Sequence, residues 1–466
     1  MLDRLETLLI QASEILCGYP LFFLLIGGGL YLFLRSGAVS LRRLPAALAE
    51  LRRKPEHKGG GQISSVQALA GVVAATVGLG NIAGVAIALV MGGPGAIFWM
   101  WVSAIVGMCT KYHEGVLTTM FKGTDDRGIP QGGTMHIIER GLGPKWKPLA
   151  VFFAVAGMFG TLCIINANQL TEAFMSTFST PESIEANGLL STVGNALGLP
   201  NAQAYKLLFG STVCAIVALV IYGGIGRIAR VASILVPFMV GLYFVMVLYI
   251  IVSNIHGVPA VVGRIFSEAF NLRAGFGAFV GIAIIGARRA ALVNDAGIGT
   301  ATLMHGASRN QTPVREGLIA MLGPSIDSGL VCTLTAIAIL LCGDIDVEGV
   351  QGLQVAVGAF SRAIPGGQYL LMLVVACFAL SSMFSYSFYG TTCARYLFGT
   401  RVGGWYRLLF ILSMVVFAMI PLEAAVGVCD LFYALMAFAT MSTVLVLSGH
   451  VRRATREYFS KDKDKK

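Results

Sequence analysis

The sequence has few charged residues for its length. Only 12% of its 466 residues are charged and 56% are hydrophobic, whereas soluble globular domains carry about 25% charged residues. Apolar runs of about 20 residues recur along nearly the whole chain, and no polar stretch between them is long enough for a separate soluble domain. This composition excludes a soluble globular fold and predicts an all-α membrane protein.

Patterns for metal binding, nucleotide binding and secretion are also lacking. The nine cysteines form no CxxC or Cys/His cluster and lie mostly in apolar segments, so we interpret them as small packing residues. No Gly-Lys-Ser/Thr follows the glycines of Gly297-Ile298-Gly299, as a P-loop would require. Residues 1–17 lack the basic start of a signal peptide, and we expect them to form an amphipathic segment on the membrane surface.

The sequence does contain a series of apolar runs separated by polar breaks. Each run is long enough for a membrane-spanning helix of about 20 residues, and the series predicts about eleven spans, numbered here in chain order. The predicted spans are 18–36, 63–92, 94–120, 148–175, 205–223, 229–253, 269–287, 316–342, 368–392, 404–421 and 426–449.

Basic residues are concentrated in alternate loops between these spans. Lysine and arginine give the chain a net charge of +10, and loops rich in these residues are typically cytoplasmic. The amino terminus is then expected outside and the charged tail 450–466 inside, in a bacterial inner membrane. Because the basic residues lie in short blocks beside apolar spans, a nucleic-acid partner is excluded. The cytoplasmic loops predicted in this way are 37–62, 122–145, 227–230 and 288–289.

Two spans contain glycines in the middle of an apolar run. The second span is interrupted in the run Thr76 to Asn81, and the seventh in the run Ala274 to Gly281. By the charge rule these spans run in opposite directions. A broken helix that recurs five spans later in inverted orientation is typical of inverted-repeat transporters. We therefore expect two five-helix repeats, 63–253 and 269–449, preceded by one extra helix at 18–36.

A helix that unwinds inside a membrane exposes backbone groups that cannot remain bare in hydrocarbon. Such a break must line a cavity or bind something. The N–H groups at the start of a half-helix attract a carboxylate, and the carbonyls at the end of the facing half-helix attract an ammonium group or a sodium ion. The alternative is that the glycines only allow close helix packing. The paired breaks favour a binding site for a zwitterion.

Several blocks of the sequence form a distinctive set. They are the run from Gln67 to Ala86, the run from Gly92 to Trp101, Lys111-Tyr112-His113-Glu114, the run from Gly132 to Gly143, and Asn294-Asp295-Ala296-Gly297-Ile298-Gly299. Together they resemble the alanine or glycine:cation symporter family, within the amino acid, polyamine and organocation transporters. The resemblance implies a ten-helix inverted-repeat fold and sodium-coupled uptake of a small neutral amino acid by alternating access.

The resemblance also implies where the substrate binds, between the broken second and seventh spans. Asn166 and Tyr386 stand where the family often has Gln and Trp, so alanine or glycine remains an expectation for this chain. Ordinary bonding between helices is the alternative role for the polar side chains at the first break. The expected substrate residues are Thr76, Val77, Gly78, Gly80, Asn81, Asn166, Phe276, Gly277, Phe279, Gly281 and Tyr386.

A sodium site is implied between the first break and the ninth span. Hydroxyl and carbonyl oxygens suit a hard cation, although serine hydroxyls also bond back to their own helix. The expected ligands are the hydroxyls of Ser381 and Ser382 and the carbonyls of Ala74, Val77 and Phe378.

Ionisable residues elsewhere in the spans leave further alternatives open. Asp327 lies inside the eighth span, where a carboxylate is costly. It could bind a second cation, carry a proton or pair with a neighbouring helix. Lys111, His113 and Glu114 are expected at a solvated helix end, with an inner gate as the alternative. His136 and His305, which have no partners at metal-ligand spacing, are expected on the surface of cytoplasmic loops.

Three other classes of function compete with a sodium symporter. A proton-coupled symporter of the same fold is the nearest, and Asp327 would be its proton carrier. A channel would require a selectivity loop or rings of like charge, which the sequence lacks. A membrane-embedded enzyme would require a metal set or a nucleophile pair in the spans, and neither is present. The identity of the amino acid, the coupling ion and the oligomeric state remain open at this stage.

Overall fold

The computed structural model describes residues 15–53, 61–270, 276–343, 352–420 and 422–463. Nearly all of this chain is helical, which agrees with the predicted class. Within the described residues, seven helices are long and apolar enough to cross a membrane, or eight if one bent pair counts as a single span. The exact number of eleven spans therefore stays a prediction, and most of the predicted surface segment 1–17 lies outside the described residues.

The first half of the chain forms helices at the predicted positions of spans one to six. The first span comprises Tyr19–Phe22, the π-helix Phe23–Gly27 and Gly28–Arg35. The remaining helices are Ser65–Thr76, the π-helix Gly80–Gly84 and Val85–Gly92 for the second span, Gly95–Met120 for the third, Lys147–Gly160 and Ile164–Phe178 for the fourth, Asn201–Ile221 for the fifth, and Gly224–Ser253 for the sixth.

The second half follows the same order with more interruptions. The helices are Phe276–Val293 and Thr300–Gly306 for the seventh span, Pro313–Ala320, Leu322–Pro324, the π-helix Ser325–Val331 and Cys332–Leu341 for the eighth, Gly367–Gly403 for the ninth, Tyr406–Phe417 for the tenth, and Leu422–Lys463 for the eleventh. The last helix continues well beyond residue 449, so residues 450–463 of the predicted tail are a helical extension of the eleventh span.

Short helices and one hairpin connect the spans. The two strands, Gly123–Thr124 and Pro130–Gln131, pair antiparallel between the third and fourth spans. The connecting helices are Val39–Arg42, Leu44–Leu51, Thr134–Ile137, the π-helix Ile138–Leu142, the 3-10 helix Pro144–Trp146, Pro181–Glu185, Gly188–Leu197, the 3-10 helix Ile255–Gly257, Val258–Ala269 and Leu353–Ala363.

The second span breaks where the sequence predicts. Its first half-helix begins at a capping box, in which Ser64 and Gln67 each bond the other's backbone N–H, satisfying two of the free amide groups of a helix start. The helix ends at Thr76 because Val77 is extended, with φ −72° and ψ 96°. Helical structure resumes at Gly80, and the two half-helices are bent by 56°.

The seventh span breaks at a different place from the one predicted. Phe276–Val293 is a continuous helix, so the prediction of a break through Gly277 and Gly281 is wrong; Ala274 and Gly275 lie outside the described residues. The chain leaves the helix at Asn294, where Asp295, Gly297 and Gly299 have φ of 52°, 90° and 97°. These positive φ angles place the second break at Asn294 to Gly299. Glycine adopts positive φ without steric cost, which suits Gly297 and Gly299 to this segment.

This shift also moves the basic residues of the seventh span. Arg288 and Arg289 were predicted in a cytoplasmic loop, but they lie inside the helix and are half-buried. Asp430 of the eleventh helix is close enough to compensate their charge. The next loop, 307–312, carries Arg309, so the charge rule still gives the seventh span the same orientation.

One further interruption was missed by the sequence analysis. The fourth span was predicted as a single helix over 148–175, but it leaves helical geometry between Gly160 and Ile164, and Cys163 has φ 55°. No glycine-rich run marks this position. A positive φ at a cysteine is a local strain that surrounding packing must compensate.

The extra first span packs against the third and eleventh spans through small residues. A Cβ atom added to Gly28 would lie 2.8 Å from the Met441 side chain, and one added to Gly29 would lie 2.5 Å from Val106. Small residues allow such close helix contacts in membranes, where no hydrophobic force drives helices together. The first span is therefore closely packed on the helices that surround the two breaks.

Candidate functional site

The two breaks lie next to each other in the structure. A Cβ atom added to Gly80 or to Gly84 would lie 3.4 Å from the side chain of Val293, the last helical residue before the second break. Phe279 is 14 residues earlier in the same helix, which corresponds to about 21 Å at 1.5 Å per residue. Its ring packs on Trp99, with 5.6 Å between centroids.

The predicted substrate residues of the seventh span therefore do not lie at the second break. Phe276, Gly277, Phe279 and Gly281 are in the amino-terminal half of that helix, whereas Val293 contacts the first break. A glycine in an apolar run does not by itself interrupt a helix, which is why the predicted break at Gly277 and Gly281 is wrong. A Cβ atom on Gly277 or Gly281 would meet nothing within 4 Å, so these glycines are required neither for a turn nor for a close contact.

Asn81 fixes the geometry of the first break. Its Oδ1 accepts a hydrogen bond of 2.9 Å from the backbone N–H of Gly78. Its Nδ2 donates to a carboxylate oxygen of Asp327 and lies 3.5 Å from the Sγ of Cys332. Asn81 and Asp327 are completely buried. One amide side chain thus closes the unwound segment and connects it to the eighth span.

Asp327 lies in the π-helix Ser325–Val331 of the eighth span, opposite the first break. One of its oxygens accepts the Asn81 hydrogen bond. Thr76 lies beside the carboxylate without a well-aligned hydrogen bond, so the Oδ2 atom of Asp327 has no hydrogen-bond partner among the described residues. Asp327 therefore contacts the second span through Asn81, and its Oδ2 atom remains available to accept a hydrogen bond or to bind a cation.

Buried oxygen atoms are clustered between the first break and the ninth span. The Oγ of Ser381 is 3.0 Å from the carbonyl of Ala74 and 2.9 Å from that of Phe378. The Oγ of Ser382 is 3.2 Å from the carbonyl of Ala74, 3.0 Å from that of Ala75 and 3.0 Å from that of Phe378. Both serines are completely buried.

The membership of this oxygen cluster differs from the predicted shell at one position. Ala75 contributes a carbonyl that the serines contact, whereas Val77 is not among their hydrogen-bond partners. Both serines also donate to Phe378 in their own helix, as the alternative interpretation expected. Each hydroxyl retains acceptor lone pairs, so rotation of the two hydroxyls would present five neutral oxygens to a hard cation.

Charged and phenolic side chains hold the second break. The backbone N–H of Gly297 donates to Glu114 at 3.1 Å. The Oδ2 of Asp295 accepts hydrogen bonds from the Tyr386 hydroxyl at 2.8 Å and from Thr300 at 3.2 Å. Tyr386, predicted in the substrate pocket wall, therefore contacts the second break directly.

The prediction of a solvated helix end at Lys111, His113 and Glu114 is wrong. All three side chains are buried, and the Nζ of Lys111 is 4.0 Å from the Oε2 of Glu114. Glu114 faces inward because it accepts the backbone hydrogen bond from Gly297, which is 183 residues away in sequence. Both blocks, Lys111 to Glu114 and Asn294 to Gly299, carry the family resemblance, and this shared signal could identify them as one site.

The two histidines predicted on the surface are also buried. The Nδ1 of His305 is 2.6 Å from the Oε1 of Glu316, whose other oxygen accepts a 2.6 Å hydrogen bond from Ser65. This contact connects the starts of the second and eighth spans. Burial lowers the pKa of His136, beside the hairpin, to about 4. No group of three or more potential metal ligands occurs in the described part of the chain.

The fourth span lines a cavity beside the second half-helix of the second span. Asn168 donates hydrogen bonds to the carbonyls of Phe417 at 3.3 Å and Ile420 at 2.6 Å. The predicted substrate residue Asn166 is half-buried in the same helix. The cavity, of about 640 Å³, lies between this helix, Ile87 of the second span and the connecting helix Leu353–Ala363.

The fold and the two adjacent breaks define a class, that of polytopic membrane proteins with discontinuous helices at their centre. The fold resembles that of MhsT in its crystal structure with L-phenylalanine, with a TM-score of 0.51, 16% identity, and coverage of 84% of this chain and 88% of that one. At this identity the likeness concerns the fold alone.

The chain belongs to the sodium:alanine symporter family, whose model matches residues 2–466. It is 35% identical to an uncharacterized transporter of Haemophilus influenzae, covering 98% of this chain and 97% of the relative. It is also 35% identical to the sodium/alanine symporter AgcS of Methanococcus maripaludis, covering 95% and 94%. The predicted family is confirmed, and with it a multi-pass membrane protein for sodium-coupled amino-acid symport.

Proposed function

We propose that this protein takes up a small neutral amino acid, alanine or glycine, together with sodium by alternating access. The observation that supports this proposal best is the buried oxygen cluster of Ser381, Ser382 and the carbonyls of Ala74, Ala75 and Phe378. It joins the broken second span to the ninth span, which belong to different repeats. A cation there would hold the two repeats in one relative position, and its release would free them.

The substrate would bind at the first break, next to this cation. The half-helix Ser65–Thr76 points the carbonyl end of its dipole at the break, which attracts the ammonium group, and the helix that resumes at Gly80 points its N–H end, which attracts the carboxylate. Asn81 keeps these two ends in place. The backbone would therefore recognise the zwitterion common to all amino acids.

The close approach of the two breaks favours a small side chain. The Cβ position of Gly80 is only 3.4 Å from Val293, and that of Gly78 only 3.1 Å from the Oγ of Ser382. Little space therefore remains beside the first break for a large substituent. The similarity to a relative named a sodium/alanine symporter also supports alanine.

Uptake by the purified protein in proteoliposomes tests this proposal. Labelled alanine, glycine, glutamine and phenylalanine would be offered with an inward sodium gradient, and again with potassium replacing sodium. We expect alanine or glycine to accumulate only with sodium. Equal accumulation in potassium would contradict sodium coupling, and a preference for phenylalanine would contradict the size argument.

A proton-coupled symporter remains the second candidate because of one observation. Asp327 is a completely buried carboxylate beside the first break, and one of its oxygens has no hydrogen-bond partner among the described residues. It could bind a second cation or carry a proton. Alanine uptake driven by a pH gradient without sodium, and lost in Asp327→Asn, would favour the proton. The sodium proposal expects no uptake under that condition.

We also propose that the amino terminus faces outward and the carboxyl terminus faces the cytoplasm of a bacterial cell. The basic loops and the basic end of the eleventh helix support this orientation. Labelling of a single cysteine introduced at Arg453, which is exposed, would test it. An impermeant thiol reagent should react only after the cells are opened, and reaction in intact cells would contradict the orientation.

A further inference from the structure

A cavity of about 490 Å³ at the ends of the first and eleventh spans carries an unusual concentration of positive charge. It is formed by the end of the first span, the short helix Val39–Arg42, His113 of the third span and the end of the eleventh helix. No aspartate or glutamate of the described residues lines it. The arginines that line it are Arg35, Arg42, Arg43, Arg452 and Arg456.

These guanidinium groups are not neutralised by carboxylates of the described residues. Arg43 lies over the ring of Phe459, with Cζ 3.7 Å from its centroid, and Arg35 donates to the hydroxyl of Tyr31. By contrast, Arg53 and Arg315 both pair with Glu50. Like charges held together in one cavity repel each other, so an anion that contacts several of them would stabilise the arrangement.

The side chains favour a phosphate group as that anion. Guanidinium groups bind phosphate oxygens through paired hydrogen bonds of matching geometry. Arg35, Arg42, Arg452 and Arg456 are exposed, and their donors remain accessible from the cavity. The hydroxyls of Ser36 and Thr455 add polar groups to its wall.

The surroundings of the cavity favour a lipid over a soluble phosphate. The first span continues to its edge with exposed apolar side chains, since Leu30 is 46% exposed, Leu34 is 69% exposed and Leu41 is 50% exposed. Leu34 also lines the cavity. Acyl chains could lie along this apolar face while the headgroup enters the cavity. Basic pockets at the cytoplasmic ends of spans are the usual sites for such headgroups.

We propose that this cavity binds the headgroup of an anionic phospholipid of the cytoplasmic leaflet. The phosphate contacts arginines from both ends of the chain, Arg35 to Arg43 on one side and Arg452 to Arg456 on the other. Arg35 already lies close to the eleventh helix, with an Nη atom 3.7 Å from the Cβ position of Gly449. The lipid therefore stabilises the docking of the extra first span on the eleventh helix.

The test compares lipids and variants in nanodiscs. The full chain would be reconstituted in phosphatidylcholine, with and without phosphatidylglycerol, and bound lipid and thermal unfolding would be measured. The test variant is Arg35→Gln/Arg452→Gln/Arg456→Gln. The matched control, Arg230→Gln/Arg362→Gln/Arg401→Gln, removes three exposed arginines that do not line the cavity.

We expect phosphatidylglycerol to raise the unfolding temperature of the parent and of the control, but not of the test variant. At about 1 kcal/mol for each arginine near an anionic lipid, the test variant should bind phosphatidylglycerol about a hundredfold more weakly. Equal stabilisation of the test variant would overturn the proposal. Equal stabilisation of the parent by inorganic phosphate would also overturn it, because the ligand would then be a soluble anion.

A second measurement tests the proposal even if the triple variant folds poorly. Native mass spectrometry of the parent and of the single variant Arg452→Gln would compare retained phosphatidylglycerol with retained phosphatidylcholine. The proposal expects preferential retention of phosphatidylglycerol by the parent and less by Arg452→Gln. No preference in the parent would contradict it.

Discussion

The two breaks at the centre of this molecule differ in the groups that hold them. At the first break an amide, two serine hydroxyls and backbone carbonyls surround the unwound segment, and the carboxylate of Asp327 contacts the amide. At the second break, Lys111, Glu114 and Asp295 are all buried within the same cluster. A cation can therefore enter the oxygen cluster at the first break without displacing a positive residue. The second break already contains a positive charge, that of Lys111.

This difference indicates a division of roles between the two breaks. The neutral oxygens of the first break suit reversible binding of an ion and a substrate. The charged groups of the second break suit a fixed geometry, because breaking a buried ion pair is costly. The following predictions test whether binding belongs to the first break and structural support to the second.

Loss of Glu114 should have the largest effect. Glu114→Leu removes the acceptor for Gly297 and leaves Lys111 without its nearest carboxylate at 4.0 Å. Removing one partner of a buried ion pair costs about 3–5 kcal/mol, so the unfolding temperature in detergent should fall sharply. The double variant Lys111→Met/Glu114→Leu should recover part of that loss. Equal or greater destabilisation of the double variant would show that the pair is not coupled.

Loss of the Tyr386 hydroxyl should have the next largest effect, on stability. Tyr386→Phe removes the 2.8 Å hydrogen bond to Asp295 and keeps the ring. A hydrogen bond to a charged group contributes about 1.5–3 kcal/mol, while Thr300 still donates to the same oxygen. We expect a lower unfolding temperature with an unchanged half-saturating sodium concentration. A change in sodium affinity alone would assign Tyr386 to binding instead.

The breaks could be predicted from the sequence only in part. The first is marked by glycines within a specific run, and the structure places it there. The second was assigned to Gly277 and Gly281, because glycine in an apolar run can mean a turn or merely a small side chain. What distinguishes Gly297 and Gly299 is their positive φ, which depends on contacts with the rest of the fold.

The buried charges could not be predicted for a related reason. Lys111 and Glu114 lie in the second half of the helix Gly95–Met120, and polar residues near a helix end usually face water. Their burial depends on a backbone N–H at Gly297 that is distant in sequence. Ser381 and Ser382 could be predicted as members of an oxygen cluster because the resemblance implied a site in their span, and both contact the carbonyl of Ala74. Whether Val77 or Ala75 contributes a further carbonyl depends on how the helix end is rotated.

A matched pair of glycine variants compares the first break, at Gly78, with the position in the seventh span where a break was predicted but is not found, at Gly281. A Cβ on Gly78 would lie 3.1 Å from the Oγ of Ser382, whereas a Cβ on Gly281 would meet nothing within 4 Å. Gly78→Ala should lower the rate of alanine uptake about tenfold, since overpacking costs about 1–3 kcal/mol. Gly281→Ala should leave it within about twofold of the parent. Equal losses in both would contradict the assignment of the breaks.

The smallest expected effect concerns Asp327. Asp327→Asn keeps a side-chain oxygen that can accept from Asn81 and removes the negative charge. The variant should fold like the parent, yet alanine uptake should rise less steeply with sodium if this carboxylate binds a second cation. A sodium titration of uptake measures this steepness. An unchanged titration curve would exclude Asp327 from cation binding.

The central claim is that Ser382 helps to bind the coupling sodium at the first break. The decisive measurement is the half-saturating sodium concentration for alanine uptake in Ser382→Ala and in Ser387→Ala, whose hydroxyl bonds only to Phe384 in its own helix at 2.7 Å. Loss of one ligand worth about 1.4 kcal/mol should raise that concentration about tenfold in Ser382→Ala, with Ser387→Ala unchanged. Equal values in the parent and both variants would contradict the account.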